Sequence, residues 1–281
     1  MATVYLNAGA TSLANANWSD GSGFATAGSD LIIANGTQII NAGVDQSAAQ
    51  VIRSLLVQPQ FTGSIGSASA PLRFTASDGT AGEKNSNNTE GFVRFYHNSG
   101  SIFFYPGAGG TNAFDNLAVA TGGQVTHTQG TVTRLKHVRG TYNLGVASVI
   151  TNGEFYGGSL IDATAGSATF TTWSTYDGAH TIRRAGTTLN VYGGTVTLNA
   201  TTGTLTTLNV YGGKVVLRGM PTITTLNGVG GEVDMTSLEI ASTITTYNSY
   251  AKHKRKGRYN NAILLTVTTD NLFEGAQPDN A

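Results

Sequence analysis

Few side chains in this chain stand where chemistry would need them. The five histidines, His97, His127, His137, His180 and His253, share neither a common sequence position nor the spacing of metal ligands, so they do not compose a metal site. Cysteine is absent, which excludes disulfides, thiolate metal sites and cysteine nucleophiles. Carboxylates in the second half stand at Glu154, Asp162, Asp177, Glu232, Asp234 and Glu239. Only Glu232 and Asp234, two residues apart, share one face of a strand. Such a pair can hold a cation or, with a third carboxylate, serve glycoside hydrolysis; the plainer reading is a solvated strand face. No GxSxG elbow, phosphate-binding loop or dinucleotide fingerprint is present, and Asp does not recur after the glycine pairs as calcium-binding nonapeptide repeats require. The expectation is a protein with no catalytic, cofactor or metal residues, and not an enzyme.

Two further patterns concern binding. The run KHKRKGR (252–258) carries Lys252, Lys254, Arg255, Lys256 and Arg258, five of the 16 basic residues. It suits contact with an anionic glycan, an acidic protein surface or nucleic acid, or equally a charged edge that discourages strand addition. Interleaved stacking aromatics are few there, which argues against nucleic acid. The second pattern is Thr-x-Thr, at Thr131/Thr133, Thr169/Thr171, Thr204/Thr206, Thr222/Thr224 and Thr243/Thr245. Regular outward Thr-x-Thr arrays resemble ice-binding β-helices, although Val149 and Ala185 break this one, and Thr also favours strands for its own sake.

The elements that carry these residues are set by a repeat. TLTTLNVYGG (204–213) returns as TITTLNGVGG (222–231), and its latter part stands at 187–194; weaker copies begin at 131, 149, 169, 185 and 243. Thr, Val, Ile, Asn and paired Gly are poor helix formers, so each copy is a coil of about three short strands rather than a helical hairpin. Apolar residues alternate along it with one slip at Thr206-Thr207, which marks a corner; the glycine pair marks another. Stacked coils of about 18 residues give an all-β parallel β-helix, a solenoid. Aligned positions then become ladders. Leu135, Gly153, Trp173, Leu189, Leu208, Leu226 and Tyr247 form an inward stack; Asn190, Asn209, Asn227 and Asn248 an amide ladder; Tyr156, Tyr176, Tyr192, Tyr211 and Tyr250 an aromatic stack beside the glycine corner.

A solenoid has open ends, and unpaired edges polymerise unless covered. Residues 1–113 carry strand-like runs without the clear repeat and are expected to form irregular first coils or a cap, 114–251 the regular helix, and 252–281 a basic segment with a C-terminal cap or tail. Residues 76–91 are polar and turn-rich, an exposed loop; the apolar run at 262–267 is expected to close the core. With 16 acidic and 16 basic residues in 281, the chain is no general polyanion binder, and its 40% hydrophobic content opposes disorder. No run approaches a membrane span and no signal segment opens it, so neither membrane nor nucleic-acid partners are expected.

The strings NWSDG (17–21), GSDLII (28–33), DQSA (45–48) and FTGSIG (61–66), followed by TITTLN-type and VYGG-type coils, resemble β-helical virion proteins of tailed bacteriophages. The resemblance covers most of the chain and rests on turn and core residues. It implies a structural protein of the virion, made in the host cytoplasm and seated on the capsid surface as a decoration protein, a homotrimer against the major capsid protein or other virion proteins. It carries over no catalytic residue. The alternative in the same setting is a tail fibre or tailspike that binds a host surface glycan.

Overall fold

The computed structural model describes residues 3–25, 28–41, 43–46, 52–76, 92–107, 113–163, 168–257 and 265–273. Two compact units divide the chain at residue 150. In each, paired strands run parallel, so every coil lays its strands on those of the coil before, and among the described residues helix is limited to two short 3-10 turns. The architecture is the expected parallel solenoid. Its coils average roughly 21 residues, not 18; the shorter figure belongs to the most regular copies, whereas loops lengthen the others. No helix among the described residues is long and apolar enough to cross a membrane.

In residues 1–150, the strands Thr3–Tyr5, Asp30–Gly36, Ser54–Phe61, Phe92–Phe95 and the start of Ala113–Phe155 pair in turn. Val4, Leu31, Leu55, Val93 and Leu117 thereby form one buried column, and Ile40, Ile65, Ile102 and Val125 a second. The first third is therefore built of irregular coils on the same ladders. Its beginning is folded over the core: Leu6 and Trp18 form an antiparallel bridge, Trp18 Nε1 donates to the Leu13 carbonyl at 3.2 Å, and the Trp18 ring meets Phe24, which meets Phe74. The Asp20 of the NWSDG string accepts the amides of Ser22 and Gly23, a local turn that holds this cap. Only Ala76 of the expected loop 76–91 lies within the described residues.

In residues 151–281 the main ladder runs through the end of Ala113–Phe155 and then Phe170–Thr175, Gly186–Val191, Thr204–Val210, Thr222–Gly228, Ser242–Ser249 and Leu265–Leu272. Gly153, Trp173, Leu189, Leu208, Leu226 and Tyr247 are in register, as their spacing predicts. Gly153 belongs there because a side chain would meet the rings of Phe155 and Trp173. The pairing skips one residue at Thr206 and Thr224, where two successive side chains face outward: this is the expected corner. At the paired-glycine corner both glycines are required. A Cβ on Gly212 would lie 2.4 Å from the Tyr192 carbonyl oxygen, while Gly213 has φ +68° and the carbonyl of Gly194 at its back.

Two expectations about the C-terminus are corrected. The basic run does not follow the last coil: Lys254–Lys256 is a strand paired onto Glu232–Asp234, and a further coil comes after it. The stretch 265–267 adds a rung to the ladder instead of closing the core, since in Leu265–Leu272 only Leu265 is buried. That rung is an eighth repeat copy, TVTTDNLFEG (266–275), in which an acidic residue at the inward position hides the match.

Candidate functional site

The outward face of the second unit's main ladder is a regular grid. Alternation along each strand puts the fourth, sixth and eighth repeat positions on this side. The fourth is Thr at 172, 188, 207, 225, 246 and 269, aligned coil by coil. The sixth is the amide ladder. Asn209 Nδ2 donates to Asn190 Oδ1 at 2.9 Å, Asn227 to Asn209 at 2.8 Å and Asn248 to Asn227 at 2.7 Å. Asn271 continues it at 2.8 Å, and below, Asn190 donates to the Ser174 hydroxyl.

The eighth position is an exposed aromatic stripe. Tyr156, Tyr176, Tyr192 and Tyr211 stack nearly parallel with centroids 4.7–5.0 Å apart, and Tyr250 stacks on Phe273 at 4.4 Å. Val229 fills the rung between the two groups. On each coil from Tyr176 onward the stripe is anchored by a main-chain bond to the coil before, as from the Tyr176 amide to the Phe155 carbonyl and from the Phe273 amide to that of Ser249. Each of the seven side chains is 36–45% exposed, whereas the inward neighbours Leu208 and Val210 are fully buried. Phe273, Asn271 and Val229 are the members that spacing alone missed. Because the rings cover one another's faces, the stripe offers solvent their edges and hydroxyl groups.

The carboxylate pair and the basic run come together on another face. Lys214 Nζ lies 2.7 Å from Asp234 and 3.1 Å from Glu232 on the next coil, and on the coil beyond, Lys254 and Lys256 align with Glu232 and Asp234. Lys256 Nζ is 3.6 Å from Asp234. Burial works to raise the Asp234 pKa, but the ammonium of Lys214 and the hydroxyl and amide of Thr236 outweigh it and hold the carboxyl well below its usual range. A carboxylate so held does not donate protons at neutral pH.

Arg255 departs furthest from the sequence reading. It takes the inward register position of Val233, has a side chain 1% exposed, lies over the Tyr247 ring at 4.3 Å and bonds Asp270 at 3.1 Å. Asp270 itself takes the inward position of Tyr247. An ion pair thus occupies the interior of the last described coil, at the positions that apolar side chains hold in the coils before. Lys252 and Lys254 are exposed; Arg258 lies outside the described residues.

Comparison with protein-family models, with curated proteins and with solved structures finds no match to this chain. The remaining chemistry-bearing groups are embedded in the coils. All five histidines are buried. His127 stacks on Phe104 and shares a hydrogen bond with Tyr142 at 3.2 Å; His180 bonds the Asp177 carbonyl at 2.7 Å; His253 bridges the Tyr247 hydroxyl and the Gly230 carbonyl. Burial pushes His97 down to about 4, and lowers His180 and His253. Arg184 and Asp162 form a second interior ion pair, with Nε 2.8 Å from the carboxylate. Among the described residues no three His, Asp or Glu side chains gather as a metal cluster would require. The Thr-x-Thr pairs yield one column in register, Thr204, Thr222, Thr243 and Thr266, while Thr206 and Thr224 sit at the unpaired corner.

Proposed function

We propose that this chain is a non-enzymatic structural protein of a tailed-phage particle, a decoration protein on the capsid head. The observation that carries the reading is the use made of the polar side chains. Asp162, Arg184, Asp234, Arg255 and the five histidines are engaged between or inside coils, and the Asn amides bond each coil to the next. Polar groups spent on tying coil to coil, with regular outer faces, suit a component of a particle coat. The placement on a particle is what the resemblance of NWSDG, GSDLII and FTGSIG to β-helical virion proteins implies, and it is part of the proposal.

A tail fibre or tailspike that grips a host glycan is the second reading, favoured by the exposed aromatic stripe. Sugars are usually held against ring faces, and these faces are covered by neighbouring rings. Electron microscopy of purified particles, labelled with antibody against this chain, separates the two. Label over the heads supports decoration; label confined to tails supports the fibre reading; no label on particles overturns both.

A further inference from the structure

Most of the exposed large apolar side chains among the described residues of the second unit lie in one straight column, the stripe from Tyr156 to Phe273. Seven coils at a strand spacing of ~4.8 Å make it about 29 Å long. Exposed apolar surface concentrated in this way marks a contact surface, and tyrosine, apolar in its ring and polar at its tip, is a side chain enriched at such contacts. We propose that a second copy of this chain docks here, stripe against stripe and antiparallel, about a two-fold axis at Tyr211. The proposal does not rest on the virion reading, and it differs from the three-fold assembly that the resemblance implies.

Three features select this occupant and this direction. First, among the described residues of the second unit Tyr211 is the fourth of seven rungs, so a two-fold axis there sets the third rung of one copy against the fifth of the other. Tyr192 then faces Val229, the one rung where a smaller side chain leaves a notch in the stack. A parallel arrangement would set notch against notch and leave both unfilled. Second, the charges match. Asp177 follows Tyr176 on the second rung and Lys252 lies two residues past Tyr250 on the sixth; both are exposed, and the antiparallel pairing brings each to the other's rung, twice by symmetry. Along the amide column the one charged member, Glu154, meets Asn271 rather than a like charge. Third, the area suffices. Seven side chains about two-fifths exposed, each worth roughly 150–250 Å² when fully covered, give on the order of 500 Å² per copy and about 1,000 Å² for the pair, where specific interfaces begin.

The test is sedimentation equilibrium of the full chain with three variants. At micromolar concentration the native protein should show twice its 29.1 kDa chain mass. Tyr211→Lys sets two ammonium groups together on the axis and should weaken association by at least about tenfold. Asp177→Lys leaves the ring stack intact, should weaken association at low salt, and should be rescued by adding Lys252→Asp. Circular dichroism of each variant checks that the coils persist, and the Asp177 and Lys252 pair keeps the test open if Tyr211→Lys fails to fold. A native monomer, or an oligomer whose mass Tyr211→Lys leaves unchanged, overturns the proposal. An Asp177→Lys defect that Lys252→Asp does not repair overturns the antiparallel register.

Discussion

Lys214 and Asp234 lie on successive coils with Nζ 2.7 Å from the carboxylate, and the carboxylate side chain is only 8% exposed while the ammonium remains partly wet. The pair thus joins two coils through a group that loses hydration on folding and a partner that keeps some. Removing the lysine leaves Asp234 with Thr236 and the longer contact to Lys256. Lys214→Met, which keeps the side-chain length, should cost about 1–3 kcal/mol in chemical denaturation. A cost below that range would mean that Lys256 replaces it.

The amide ladder is tested by position. Asn209 accepts from Asn227 and donates to Asn190, whereas Asn271 makes a single ladder bond and is exposed. Asn209→Ala should therefore lose about 1–2 kcal/mol and Asn271→Ala less than half as much, measured by urea titration. Equal losses would show that local strand propensity, not the ladder, sets the cost.

Position seven of the repeat offers a substitution that sequence logic favours and the packing forbids. The copies read Val191, Val210 and then Gly228, so Gly228→Val restores the pattern and would ordinarily strengthen a strand. A Cβ at Gly228 would lie 2.2 Å from the His253 ring, which fills the missing side chain's place. The variant should lose about 1–3 kcal/mol by overpacking, and adding His253→Ala should recover part of it.

His253 also shows where sequence reading stops. Register within the second unit follows from spacing, because a slip of one residue turns Leu208 and its aligned neighbours outward, and the inward stack from Gly153 to Tyr247 falls where the repeat puts it. The aromatic stripe and amide ladder are legible for the same reason. Arg255 is not: in sequence it belongs to a basic run, and only the pairing of Val233 with Arg255 and of Tyr247 with Asp270 turns both charges inward. Nor are the histidines, since burial depends on which coil supplies the space and not on neighbours in the chain.

Those histidines make stability depend on pH. His97 is fully buried, and desolvation lowers it from 6.5 to about 4 against backbone contacts with Gln124 and Gly100 that favour the charged form. The unfolded chain then binds a proton that the folded one refuses. The stability is fully present above pH 6.5, falls as pH drops below that value, and levels off near the folded pKa. His97 alone should remove about 3 kcal/mol by pH 4, with His180 and His253 adding in the same direction. Denaturation midpoints measured between about pH 7 and pH 4 should fall steadily, and His97→Phe should flatten the slope. An unchanged slope would assign the pH dependence to other groups.

The basic run divides into two roles that one experiment can separate. Lys252 and Lys254 face solvent, whereas Arg255 holds Asp270 and covers Tyr247 within the last described coil. Arg255→Met should leave Asp270 without that partner and cost about 1–3 kcal/mol, with little loss from Lys254→Gln. On the proposed decoration role, binding to isolated capsids should show the reverse order. Lys254→Gln, which leaves the Asp177 and Lys252 pairing of the proposed dimer untouched, should weaken attachment in a manner that rising salt mimics, because exposed charges act through a screened field. Arg255→Met should bind normally wherever it is folded. Full attachment by Lys254→Gln at low salt would remove this part of the basic run from the proposed capsid contact.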